Sequence, residues 1–195
     1  MSLRNYEELN NSEKDFINKI IEATRSAMSE YAYSERLTPN AYQGACDMAK
    51  TVAEYLIPDF NAENLYKNFE DFADRYNDKT LLNEKEVKMT MLLKTELENI
   101  PDAISSNEVE LNNGEMKVLS LQDKMVFKAI LKSALLTVNI SAQYSDVTDN
   151  QIRITKDLAG DMTRILLPDV EGYKNTYNQL GKVFEIMSER CYIIE

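Results

Sequence analysis

Three carboxylates, Glu70, Asp71 and Asp74, fall within the five residues Glu70-Asp71-Phe72-Ala73-Asp74. On a helix, positions i and i+4 put Glu70 and Asp74 on one face, with Asp71 beside them. Oxygens grouped in this way can hold Mg²⁺, which takes one or two carboxylates and completes its shell with water and substrate phosphate. Such a site needs a second acidic set facing the first, and Glu84, Glu86, Glu96 and Glu98 form the dense group available. The competing reading is a solvated helix face, where exposed charges add solubility and little stability.

The pentad resembles the acidic metal-binding motifs of helical isoprenoid synthases and of all-α nucleotide pyrophosphohydrolases, over those five residues. The resemblance implies a Mg²⁺-dependent hydrolase or transferase acting on a phosphorylated small molecule, with Glu70, Asp71 and Asp74 as ligands. Without the resemblance, the residues call for no cofactor and no metal.

Other catalytic chemistry has fewer groups to draw on. The chain contains no histidine, which removes the commonest general base and the imidazole triads. Its two cysteines, Cys46 and Cys191, make neither a disulfide framework nor a metal-ligand spacing, and Cys46 falls inside a helical pattern as a small apolar residue. The five glycines are scattered, with no phosphate-binding loop.

Charge narrows the partners. The net charge is −11. Residues 37–118 hold sixteen Asp/Glu against eight Lys/Arg, whereas residues 119–195 hold ten against nine. An acidic surface disfavours direct nucleic-acid binding, which needs clustered Lys/Arg, and disfavours anionic membranes likewise. The apolar run Met125 to Ile140 is interrupted by Lys128, Lys132 and Asn139, so no membrane span is expected, and no secretory signal opens the chain. A cytoplasmic protein is the expectation. Richness in Asn, Lys, Glu and Ile fits the A+T-rich genome of a phage or mobile element.

The elements that would position these groups are organised by a duplication. Tyr33 to Phe60 recurs as Tyr144 to Val170, with nine identities and one gap opposite Arg36. The match extends back, Phe16 onto Phe127 and Ile20 onto Leu131, and forward, Tyr66-Lys67-Asn68 onto Tyr173-Lys174-Asn175. Each copy predicts three helices. The first spans residues 12 to about 35. The second is capped by Thr38 ahead of Pro39 and stopped at Pro58, and the third opens at Asn61. In the second copy a helix runs from Ser120 to about Tyr144; its thin polar face predicts packing on several sides. Asp149 falls where the next helix cap belongs. Between the copies, a cap-plus-acid pattern at residues 83–86 predicts a fourth helix, and Asn113-Gly114 predicts a hairpin turn with both residues at φ > 0.

The sequence therefore predicts a mainly all-α bundle of about seven helices with one short β-hairpin. Residues 12–77 and 120–190 are three-helix repeats joined by 78–119, all within one domain. The residues shared by the copies, Thr38/Thr148, Asn40/Asn150, Asp47/Asp157 and Asp59/Asp169, fit scaffold roles at caps and helix ends. Function is expected where the copies differ: the 70–74 pentad, the acidic residues 84–98 and the hairpin. The expected function is a non-catalytic acidic module that binds a protein partner through its acidic middle, residues 54–115, and the hairpin, as an inhibitor or adaptor, with nucleic-acid mimicry one form of it. A homodimer is compatible with the duplication.

Overall fold

The computed structural model describes residues 3–75, 84–87, 89, 108–144 and 147–189. Helices dominate. α1 (Asn11–Tyr33) and α2 (Pro39–Leu56) lead into a 3₁₀ segment, Ala62–Asn68, and a single turn, α3 (Glu70–Ala73). Three short strands follow, β1 (Glu86–Val87), β2 (Glu108–Glu110) and β3 (Met116–Val118). α4 (Leu121–Tyr144), β4 (Val147–Thr148), α5 (Asp149–Leu166) and α6 (Gly172–Glu189) complete the described elements. β1 pairs antiparallel with β4, and β2 with β3.

The helix boundaries follow local chemistry. Asn10 caps α1 by accepting from the Glu13 amide while Glu13 reaches back to the Asn10 amide, a reciprocal capping box. α1 ends with Glu35 left-handed at φ 58°, so that the Arg36 amide reaches back to the Tyr31 carbonyl at 2.7 Å. Thr38 caps α2 through the Ala41 amide, with Pro39 at the first helical position. In the second copy the cap is Thr148, bonded to the Gln151 amide, and Asp149 is the first helical residue rather than the cap.

One expected helix takes another form, and the start of a second is extended. The third element of the first copy is 3₁₀, not α. Asn61, Asn64 and Asn68 favour local turns over helix, and the Asn68 side chain bonds back to the Leu65 carbonyl. The fourth helix lies largely outside the described residues, and at its expected start Glu86–Val87 is extended. The reason is the amino end of α5: the Asp149 amide donates to the Lys85 carbonyl at 2.9 Å, and the Asp149 carboxylate accepts from the Lys85 amide at 3.1 Å. An extended segment satisfies donors that a helix terminus leaves open.

The hairpin forms, with a turn other than the one expected. The Gly114 amide closes a turn onto Leu111, Leu111 pairs with Glu115, and only Gly114 has positive φ, at 84°. This is a three-residue loop with a glycine bulge rather than a two-residue turn.

The two copies share a single core. α2 and α5, which are counterparts, pack on each other. α1 packs on α5 and, reciprocally, α4 packs on α2. Such exchange is the pattern of an isologous pair held in one chain. Gly44 permits the approach of α2 to α5, since a Cβ there would stand 3.1 Å from Cγ of Gln151. α4 is buried along Val126–Asn139, as its thin polar face predicts. Yet α5 is the hub: it touches α1, α2, α4 and α6, and only Arg153 and Arg164 along it are fully exposed.

Candidate functional site

The 70–74 pentad is held against α1. Arg25 forks onto the Asp71 carboxylate with two bonds of 2.8 Å and also donates to the Asn68 carbonyl. Arg75 lies 4.0 Å from the same carboxylate. The guanidinium groups of Arg25 and Arg75 stand 5.0 and 4.9 Å from the centroid of the buried Phe72 ring. Hydrogen bonds from Arg25 hold the Asp71 carboxyl below the usual carboxylate range, and the same bonds raise Arg25. Asp71 is thus neutralised by arginine. Glu70 and Asp74 are exposed on either side of it.

The second acidic set lies elsewhere. Glu84 accepts a 3.0 Å bond from the Thr38 hydroxyl, and Glu86 is an exposed residue of β1 opposite Thr148. Both therefore sit at the amino ends of α2 and α5, whereas the pentad lies against Arg25 midway along α1. Glu96 and Glu98 fall outside the described residues. Among the described residues, no group of three or more His, Cys, Asp or Glu side chains is placed to hold a metal ion.

The repeated aspartates have roles that the alignment could not assign. The Tyr66 hydroxyl donates to Asp47, whereas Tyr173, its counterpart, donates to Asp161 at 2.6 Å, one turn further along α5. Asp157, the counterpart of Asp47, instead accepts from Tyr31 of the first copy at 2.5 Å. Burial pushes the Asp157 carboxyl up, opposed by that hydrogen bond. Burial also pushes the Cys46 thiol up to about 12, which removes it as a nucleophile at neutral pH.

The corners after α2 and α5 carry the clearest difference between the copies. At Pro58-Asp59-Phe60, Arg4 lies extended: its amide donates to the Asp59 carbonyl at 2.7 Å and its carbonyl accepts from Asn61 at 2.9 Å. The Arg4 guanidinium forks onto Asp59 and onto Glu13, with bonds of 2.7–3.0 Å. Those bonds lower both carboxyls. At Pro168-Asp169-Val170 the hairpin takes the same place: the Asn112 amide donates to the Asp169 carbonyl and the Glu171 amide to the Glu110 carbonyl, both at 3.0 Å. Asn175 clamps both backbone groups of Glu110, at 3.0 and 2.8 Å. The hairpin therefore belongs structurally to the second copy, in the place that residues near Arg4 hold in the first.

Exposed apolar side chains gather along the hairpin's continuation. Met116, Val118, Leu121 and Met125 are 61%, 55%, 78% and 64% exposed within ten residues of chain. Chance exposure is ordinary for single residues, less so for four together. Cavities among the described residues include two that could admit a ligand. A groove of about 310 Å³ is lined by Tyr6, Ile17, Asn18, Ile21, Phe60, Asn64, Leu65 and Asn68, and carries no charge to meet a phosphate. A cavity of about 80 Å³ lies between the hairpin and the Pro168 corner.

Leu121–Gln143 is longer than the apolar run legible in the sequence. Its most apolar 18-residue window has a mean hydropathy of 1.4, in the range of membrane-spanning helices, and 61% of that window is buried in the bundle. Comparison of the chain with protein-family models, curated proteins and solved structures returned no match.

Proposed function

We propose that the protein is a non-catalytic interaction module that binds a partner protein through the β2–β3 hairpin and the first turns of α4. The observation that carries this reading is the row of exposed apolar side chains Met116, Val118, Leu121 and Met125. β3 also has an open edge among the described residues, where β2 pairs with it on one side and no strand pairs on the other. Unpaired edges with apolar side chains are sites where other chains add. The acidic surroundings, Glu108, Glu115 and a net charge of −11, favour a cationic partner, as an inhibitor or adaptor of a basic protein would need. In this reading it acts in the cytoplasm.

Capture from native lysate at low salt tests the proposal, with Met116→Ser/Val118→Ser as the control. Both side chains face solvent, so the variant should keep the wild-type melting temperature and lose the captured protein. Retention of the same protein by both forms would place the interface elsewhere, and no specific capture at low salt would remove the interaction reading. The rival reading, a Mg²⁺ enzyme using the pentad, requires Asp71 to leave Arg25. It predicts a melting-temperature rise with Mg²⁺ and nucleotide that Asp71→Asn abolishes.

A further inference from the structure

The first copy shows what its corner binds. There, an extended residue pairs its backbone with Asp59 and Asn61 and sends a guanidinium onto Asp59 and Glu13. In the second copy Leu111 bridges Val170 where Arg4 bridges Phe60, although the chain runs antiparallel there and parallel at Arg4, so that Asn112 and Glu110 make the backbone bonds. Leucine carries no donor. Asp169, the counterpart of Asp59, therefore keeps an exposed carboxylate that receives no hydrogen bond or ion pair among the described residues. The 80 Å³ cavity beside it is lined by Leu119, Leu166 and Val170 together with the charged residues Asp123, Asp169 and Lys117.

We propose that this cavity receives an arginine side chain from an extended segment of the partner protein, laid along the open edge of β3. The proposal rests on reading the hairpin as the partner surface, and it specifies what the partner brings. The cavity is well under the roughly 300–1,000 Å³ of small-molecule sites, so it suits the end of one side chain rather than a whole metabolite. A guanidinium matches carboxylates in a bidentate fork, as Arg4 does at Asp59. The backbone is arranged to accept a strand. Glu110 turns both its backbone groups away from β3, onto Asn175 and Glu171. Its opposite residue, Met116, is then a non-hydrogen-bonded position whose N–H and C=O point off the open edge, and Val118 repeats the geometry. A strand added there sends alternate side chains to the face that carries Lys117. Lys117 itself opposes a cation, so its removal should tighten binding.

The test is an amide-resolved NMR titration of the full-length protein with a blocked pentapeptide, Thr-Val-Arg-Val-Thr, and its Gln-for-Arg analogue. Shifts confined to residues 111–119 and 166–170 are expected. Binding should weaken about tenfold or more for the Gln analogue and for Asp169→Asn, and strengthen for Lys117→Gln. Asp169 makes no side-chain bond among the described residues, so Asp169→Asn should fold normally. Equal binding of both peptides, indifference to Asp169→Asn, or no shift at millimolar peptide would each overturn the proposal. If the pentapeptide fails while Met116→Ser/Val118→Ser still abolishes partner capture, the arginine is refuted and the interface stands. If neither effect is seen, both fall.

Discussion

The hydroxyl of Tyr31, near the end of α1, donates to the carboxylate of Asp157 in the middle of α5, 2.5 Å away and 126 residues along the chain. It ties the first copy to the second through a buried phenol and a carboxylate that burial disfavours as an anion. Tyr31→Phe removes the donor and leaves the carboxylate short of a partner. A loss of about 1.5–3 kcal/mol is expected, read by urea unfolding at neutral pH. The pH dependence has a definite sign. A carboxyl whose pKa is raised on folding contributes stability below its unfolded value of 3.8 and loses it as pH rises through the folded value. Relative to Asp157→Asn, the wild type should therefore lose stability as pH rises from that point.

Arg4 supports the opposite dependence. Glu13 and Asp59 are lowered from 4.5 and 3.8 by its hydrogen bonds, so their contribution is present above those values and is lost as pH falls through the folded ones. The stability difference between wild type and Arg4→Gln should be full at neutral pH and shrink progressively below about 4.5. A difference that persists unchanged to pH 2 would show that Arg4 acts through packing rather than through these carboxylates. Salt should also reduce it, since the side chains are partly exposed.

The threonine caps should behave alike in kind and differ in degree. Thr148→Ala removes the bond to the Gln151 amide, and a loss of about 0.5–2 kcal/mol is expected by chemical denaturation. Thr38→Ala also strips the donor from Glu84 and should cost more within that range. Asp149→Ala, which leaves the cap in place, should cost less than Thr148→Ala. Partner capture should survive all three.

Two glycines on neighbouring helices should respond with opposite signs. A Cβ at Gly160 would stand 2.4 Å from the Tyr173 ring, so Gly160→Ala should destabilise by about 1–3 kcal/mol. A Cβ at Gly181 would meet nothing within 4 Å, and Gly181→Ala should stabilise α6 by up to about 1 kcal/mol. Thermal unfolding of the two variants separates them directly.

Legibility in the sequence followed the range of the interactions. Thr38-Pro39, Pro58, Ser120 and the periodic apolar residues of α1, α2 and α4 announced the helices because caps, proline and amphipathic spacing act within a turn or two of chain. The duplication announced which helices correspond, and Gly114 the hairpin. The exposed acids of the pentad were legible as acids, yet their condition was not: Asp71 is set by Arg25, forty-six residues away. α5 looked ordinary because its polar residues, Gln151, Asp157 and Asp161, are satisfied by partners such as Ser141, Tyr31 and Tyr173 that only the assembled bundle brings near. The extended form of residues 86–87 depended on a helix end sixty residues later. The same holds for the candidate site. Sequence comparison singled out the hairpin as a difference between copies. Only the fold placed it on the Asp169 corner, where it fills the backbone positions that Arg4 fills at Asp59 and leaves the carboxylate without its arginine, because hydrogen bonds between distant segments carry no periodic signature along the chain.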